Sequence, residues 1–168
     1  MSEECTIAYD WLVEQMKLRV GTPPEGVRYP IWAWALIDSV SKKPDLRRGE
    51  FNNYVGENVV LELEIPDSDL LLSDEVMWHH CLNNWYLHGE SNDEFDEAKW
   101  KETEDWFDSL PSVEKESVKF KSWERILDKD DKINDWKFVQ ATFWELRVEQ
   151  IKSVRRFTGH GKRATKLK

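Results

Sequence analysis

Two periods of apolar spacing alternate along this chain, and the switches between them place its elements. Over residues 6–20, Ile7, Trp11, Leu12 and Leu18 recur near one helical stripe. Thr6 is suited to cap that helix and Gly21 to stop it. A Pro-Gly loop over 22–26 follows, and Tyr29-Pro30 then forces extended backbone. Residues 31–37 read as a strand with Trp32 and Trp34 on one face and Ile31, Ala33 and Ala35 on the other. Both faces are apolar, the pattern of a strand covered on two sides. Residues 39–44 read as a loop, closed by the turn chemistry of Pro44-Asp45. The clearest alternation spans 57–65, where Val59, Leu61, Leu63 and Ile65 form a dry face and Val60, Glu62 and Glu64 a wet one.

Helical spacing returns after Ser73-Asp74-Glu75, a capping hydroxyl followed by two acids at the positive end of the dipole. Trp78, Cys81, Leu82 and Trp85 then form an i, i+3, i+4, i+7 core stripe, with Cys81 acting as a small hydrophobe. Residues 91–110 predict a largely exposed acidic helix carrying Phe95, Ala98, Trp106 and Phe107, broken by Pro111. Another helix is predicted over 113–127, with Val113, Phe120, Trp123, Ile126 and Leu127 inward, before a polar loop over 128–135. The last strong strand, 138–148, sets Gln140, Thr142, Trp144, Leu146 and Val148 against Val139, Ala141, Phe143, Glu145 and Arg147. A turn at Glu149-Gln150 and a strand over 151–157 complete the pattern. The expectation is an α+β fold: a small, mostly antiparallel sheet from the strands near 31–37, 57–65, 138–148 and 151–157, with about four packed helices. Residues 1–157 would form a single globular domain and 158–168 a flexible basic tail.

Charge changes this picture more than length does. The 168 residues suit one domain, and the formal net charge of −9 is unevenly spread. Eleven acids lie between Glu90 and Glu116 against Lys99, Lys101 and Lys115, whereas Lys152 to Lys168 carries seven cations and no acid. The acidic block opposes a broad nucleic-acid face, and only the basic tail offers phosphate a partner. Ten tryptophans, spread along the whole chain, read mainly as packing residues. Cys5 and Cys81 are the only cysteines and form no Cys-x-x-Cys pair. No apolar run reaches the roughly 18 residues of a membrane span, and the acidic N-terminus has no apolar h-region. The expected setting is reducing and cytoplasmic, away from membranes.

Candidate chemistry is sparse. The chain has no Gly-rich phosphate loop, no HExxH and no serine-nucleophile motif. Asp45 and Arg47 follow the aromatic run that contains Tyr29, Trp32 and Trp34. A guanidinium beside indoles suits an anionic or flat ligand, while loop charges of this kind more often serve turn chemistry and pairing with a structural carboxylate. Glu145, between Phe143 and Arg147, reads either as a catalytic acid or as half of a surface ion pair. His79 flanks the Trp78 stripe as a polar group for the edge of a site. His80, Asn84 and His88 form an i, i+4, i+8 column, but two histidines without a third ligand do not make a metal site, and no metal is expected.

The segments YDWLVEQM, YPIWAW, KPDLRR, LLSDEVMWHHCLNNWYL, SWERIL and QATFWELRVEQIKSV together resemble a bacterial and phage family known as domain of unknown function 3841. The resemblance runs to about Phe157 and implies that Trp32, Trp34, Asp45, Arg47, Trp78 and Glu145 occupy family motif positions. Members usually begin with a strand and helix upstream of the segment matching Tyr9, whereas this chain starts at Met1. QATFWELRVEQIKSV is also similar in rhythm to the late strand of the ADP-ribosyltransferase-like fold. That analogy implies NAD as cofactor, Glu145 as the catalytic acid steadying an oxocarbenium-like charge, and Arg47 as an anion clamp. Two readings follow. One is a transferase-type domain that binds NAD or another nucleotide in an aromatic pocket. The other is a non-catalytic protein-interaction module, phage- or defence-related, acting through its acidic helix or aromatic face.

Overall fold

The computed structural model describes residues 3–40, 45–46, 55–89, 96–127 and 136–161. Among the described residues the fold is mixed α+β, with small antiparallel sheets and four α-helices. The described residues fall into two compact units, one within 1–41 and 67–145, the other within 42–66 and 146–168.

In the first unit, helix α1 (Glu3–Arg19) has Glu3 and Glu4 in its first turn and Lys17 and Arg19 in its last, matching the helix dipole. It buries Ala8, Trp11, Leu12 and Met16. That stripe centres near Ala8 and Leu12, so Leu18, about a quarter-turn away at 3.6 residues per turn, is 80% exposed instead of inward. Gly21 takes the left-handed conformation (φ 119°) and donates its N–H to the Met16 carbonyl at 3.0 Å, ending the helix where the sequence placed the stop.

Strand β1 (Ile31–Ile37) pairs antiparallel with β4 (Phe138–Phe143), with Trp32 opposite Thr142 and Trp34 opposite Gln140. A register irregularity lies between Trp34 and Leu36. The other side of β4 pairs with β3 (Leu70–Asp74), a strand the apolar pattern did not reveal. β4 is therefore the central strand, in the order β1-β4-β3. Its buried residues on both faces, Val139 and Thr142 among them, follow from having neighbours on either side.

β3 runs directly into helix α2 (Glu75–Leu82), and Asp74 rather than Ser73 is the cap. Its Oδ1 accepts from the N–H groups of Val76 (2.9 Å) and Met77 (3.3 Å). Helix α2 is shorter than its pattern suggested: Asn84 turns the chain at φ 59°, and Trp85 leaves the core stripe. Helix α3 (Glu97–Ser109) is capped by Asp96 and buries no residue. Helix α4 (Ser112–Trp123) continues into a short 3-10 turn, Glu124–Ile126. Trp123, Ile126 and Leu127 point inward as expected, but Val113 in its first turn is exposed. One core joins Ala8, Leu12 and Met16 of α1 to Trp78 and Cys81 of α2, and to Leu71, Leu87, Trp123 and Trp144.

The second unit is built on a two-stranded ribbon, β2 (Gly56–Leu63) against β5 (Ile151–Gly159), in register from Gly56 opposite Gly159 to Leu63 opposite Ile151. The four predicted strands thus belong to two sheets instead of one. The alternation in β2 is real, but its outcome is reversed: Val59 and Leu61 are exposed, while Asn58, Val60 and Glu62 are half-buried. Gln150, in the 3-10 turn before β5, accepts from the Glu64 N–H through its carbonyl (2.8 Å) and from the Arg147 N–H through its side chain (2.8 Å). β5 extends to Gly159, so the first two residues of the predicted 158–168 basic tail belong to a strand, and its part from residue 162 onward lies outside the described residues. Among the described residues, no helix is long and apolar enough to cross a membrane.

Candidate functional site

Of the residues singled out by sequence, Tyr29, Trp32 and Trp78 come together. They surround Tyr9 of α1, whose ring makes edge-on contacts with Tyr29 (5.6 Å), Trp32 (6.1 Å) and Trp78 (5.6 Å), while Trp32 and Trp78 lie 5.1 Å apart. Burial pushes the Tyr9 hydroxyl above the ordinary tyrosine range, an effect the Cys5 thiol adds to and the Trp32 indole partly offsets. Toward solvent, the Tyr29 hydroxyl donates to Asp10 Oδ1 at 3.4 Å, and the Arg28 guanidinium lies 4.9 Å over the Tyr29 ring. Each of these rings is half-buried or buried. Packing of this kind contributes about 0.5–1.5 kcal/mol per aromatic pair beyond area burial, so the cluster's first role is to lock α1 and α2 onto β1.

The remaining candidates are dispersed. Trp34 stands apart against Phe138 at 6.3 Å and is partly exposed. His79 is exposed and held by its own helix, with Nδ1 3.0 Å from the Glu75 carbonyl and 3.6 Å from Glu75 Oε1. Asp45 is exposed and falls in the second unit, and Arg47 lies outside the described residues. Glu145 is exposed and follows β4 instead of lying on it. The strand stops at Phe143 because Trp144 turns into the core, where its Nε1 donates to the Gly21 carbonyl at 2.7 Å. The predicted face shared by Phe143, Glu145 and Arg147 is therefore absent, since alternation ends with the strand.

A groove of about 870 Å³ runs along α1, floored by Ile7, Trp11, Val27 and Phe120 and rimmed by Asp10 and Arg28. Its volume suits a small molecule, but its rim mixes both signs of charge and Lys17 is already paired with Glu14 at 2.7 Å. The Cys81 thiol is fully buried, and burial pushes its pKa far above the ordinary value, leaving it protonated and inert. Among the described residues, no group of three or more His, Cys, Asp or Glu is placed to hold a metal ion.

The surface that sequence reading undervalued is the join between α3 and residues 85–88. Tyr86 stacks on Phe107 at 4.6 Å and meets Trp106 edge-on at 6.0 Å, while His88 lies 4.8 Å from Trp100. These few rings hold a 13-residue helix that buries nothing and leaves Trp100 38% and Trp106 48% exposed. Five acids, Glu97, Glu102, Glu104, Asp105 and Asp108, share α3 with Lys99 and Lys101. Lys101 is engaged by Asp105 at 3.0 Å. The segment beneath is firmly fixed: the Trp123 indole donates to the Trp85 carbonyl (2.6 Å) and the Leu87 N–H to Ser122 Oγ (3.0 Å). The exposed Trp85 lies beside it. The only sequence signals for this surface were the acidic run and the exposed-helix pattern; what gathers there depends on the turn at Asn84.

No curated protein and no solved structure matches the chain, so the ADP-ribosyltransferase analogy rests on strand rhythm alone. The sequence pattern of one family does match, over residues 1–152, which takes in every described element of the first unit and stops just inside β5. The chain belongs to the family described as domain of unknown function DUF3841.

Proposed function

We propose that this protein is a non-catalytic interaction module whose α3 face engages a basic segment of another protein. The observation that carries this reading is α3 itself: thirteen residues with none buried, yet displaying Trp100 and Trp106 among carboxylates. Indoles left partly exposed keep apolar surface that folding does not cover, and Trp is among the side chains most enriched at interface hot spots. The surrounding acids specify the partner's sign and would speed encounter with a cationic surface. The base of the helix is rigid, so binding needs little ordering of residues 85–88.

The test compares the wild type with Trp106→Ala and with the double variant Glu97→Lys/Glu102→Lys as baits, each checked for native circular dichroism. Trp106→Ala should weaken capture of a basic partner about 30-fold, corresponding to roughly 2 kcal/mol at a hot spot. The charge variant should abolish the salt sensitivity of binding. Undiminished capture by both variants rejects the reading. A thermal shift on adding NAD that disappears in Glu145→Gln would also reject it, and would favour the transferase alternative.

A further inference from the structure

Three buried side-chain nitrogens, on His80, His88 and Arg125, have no hydrogen-bond partner among the described residues. Arg125, in the 3-10 turn after α4, donates Nε to the Ser122 carbonyl at 3.3 Å, but its Nη2 is buried without a partner. The Nδ1 atoms of His80, on α2, and of His88 are likewise buried and unpartnered. Ser122 links two of them, because its hydroxyl holds the Leu87 N–H, immediately before His88, while its carbonyl holds Arg125; His80 packs on Trp85, whose carbonyl accepts from the neighbouring Trp123 indole. Aromatic rings wall the cluster: Trp85 meets His80 edge-on at 5.8 Å, Tyr86 meets His88 at 5.2 Å, and Trp100 lies over His88. A buried guanidinium N–H without an acceptor costs several times what an ordinary missing hydrogen bond does. One such guanidinium N–H together with two unpartnered imidazole nitrogens is difficult to account for by stability alone.

We infer that Arg125, His88 and His80 form a binding site for an oxyanion group, phosphate or carboxylate, approached by displacing the Trp100 ring. The guanidinium supplies a fixed cation whose planar fork matches two oxygens. His88 supplies a further donor once protonated, and His80 a ring nitrogen beside it. Trp100 is the movable element, since it belongs to a helix with no buried residue. Glu104 is the acid facing this group, and its charge is felt at His88 together with those of Arg125 and His80. None of the three unpartnered nitrogens is hydrogen-bonded to Glu104. Glu104 therefore acts as a resident competitor that an incoming anion must outweigh.

The experiment titrates the intact chain with inorganic phosphate and, separately, with acetate at pH 6 and pH 8. Sodium chloride matches the ionic strength, and melting temperature and histidine ring proton NMR are followed. A saturable rise in melting temperature, larger at pH 6, is expected together with shifts of two histidine resonances. Arg125→Gln should weaken the response about 10- to 100-fold, the value of a charged hydrogen bond, and Glu104→Gln should strengthen it several-fold. The anion that saturates at lower concentration identifies the source as phosphate or carboxylate. A response that sodium chloride reproduces, that survives in Arg125→Gln, or that weakens in Glu104→Gln overturns the assignment. Should Arg125→Gln fail to fold, the wild-type histidine resonances decide, and their failure to move with either anion refutes the site.

Discussion

Ser122→Ala isolates the joint on which the α3 surface is mounted. The Ser122 hydroxyl is buried, accepts from the Leu87 N–H at 3.0 Å and donates to the Lys119 carbonyl at 2.6 Å. Alanine leaves the Leu87 N–H without an acceptor at a fully buried position. That orphaned donor costs about 1–3 kcal/mol, and alanine's better helix propensity returns only about 0.5 kcal/mol. The expected net loss is about 0.5–2.5 kcal/mol, or a fall in melting temperature of about 1–10 °C for a chain of this size. Ser117→Ala, an exposed serine on the same helix, gains the propensity term without the orphaned donor and should leave stability within about 0.5 kcal/mol. Urea denaturation of both variants gives the difference, and hydrogen exchange at the Leu87 amide should accelerate in Ser122→Ala alone. Equal stabilities for the two variants, or unchanged Leu87 protection, would show that the bond contributes nothing and that residues 85–88 are held otherwise.

Leu12→Ala should destabilise by about 2–5 kcal/mol because Leu12 is fully buried, whereas Leu18→Ala should stay within about 0.5 kcal/mol; chemical denaturation of the pair checks where the α1 stripe lies. His88 should make stability fall on acidification. Burial is the first cause lowering its pKa from the ordinary 6.5, with Arg125 and His80 adding to the effect and Glu104 opposing it. A histidine whose folded pKa lies below its unfolded value binds protons preferentially in the unfolded state, so stability is full above about pH 6.5 and declines below it. Melting temperatures between pH 5 and 8 in phosphate-free buffer should show that slope, and His88→Gln should flatten it; an unchanged slope in the variant would assign it to other groups.

The periodicities carried most of the fold because they report on neighbours close in sequence. β1, the apolar face of α2 up to Cys81, and the inward Trp123, Ile126 and Leu127 were legible on that basis. What escaped depended on partners far along the chain. LLLSD shows neither period because β3 is a short, largely buried strand against the central β4. The dry face expected of β2 lies outward because a two-stranded ribbon does not oblige its more apolar face to be the covered one. Glu145 was placed on a strand because alternation continued in the sequence. A hydrogen bond from Trp144 to Gly21, 123 residues away, ends the strand first. The expected partnership of Glu145 with Arg47 involves a residue outside those described, so the candidate site was legible only in its aromatic part, Tyr29, Trp32 and Trp78.

The distribution of the ten tryptophans joins these observations to function. Trp11, Trp78, Trp123, Trp136 and Trp144 are buried and Trp32 packs against the core, which accounts for six by stability. Of the four exposed ones, Trp34 leans on Phe138 at one side of β4. The other three, Trp85, Trp100 and Trp106, gather around Tyr86, His88 and His80. Random surface scatter of large apolar side chains needs no explanation. Three partly exposed indoles in one stretch of the chain, two of them on a helix with no buried residue, do need one. A partner that covers them would recover burial that folding leaves unrealised, about 25 cal/mol for each square ångström of apolar surface removed from water. The same face holds the acids that would attract a cation and, near them, the Arg125 guanidinium with its buried Nη2. A ligand bearing both charges would therefore meet complementary groups at two depths, and removing either set of charges should weaken it independently.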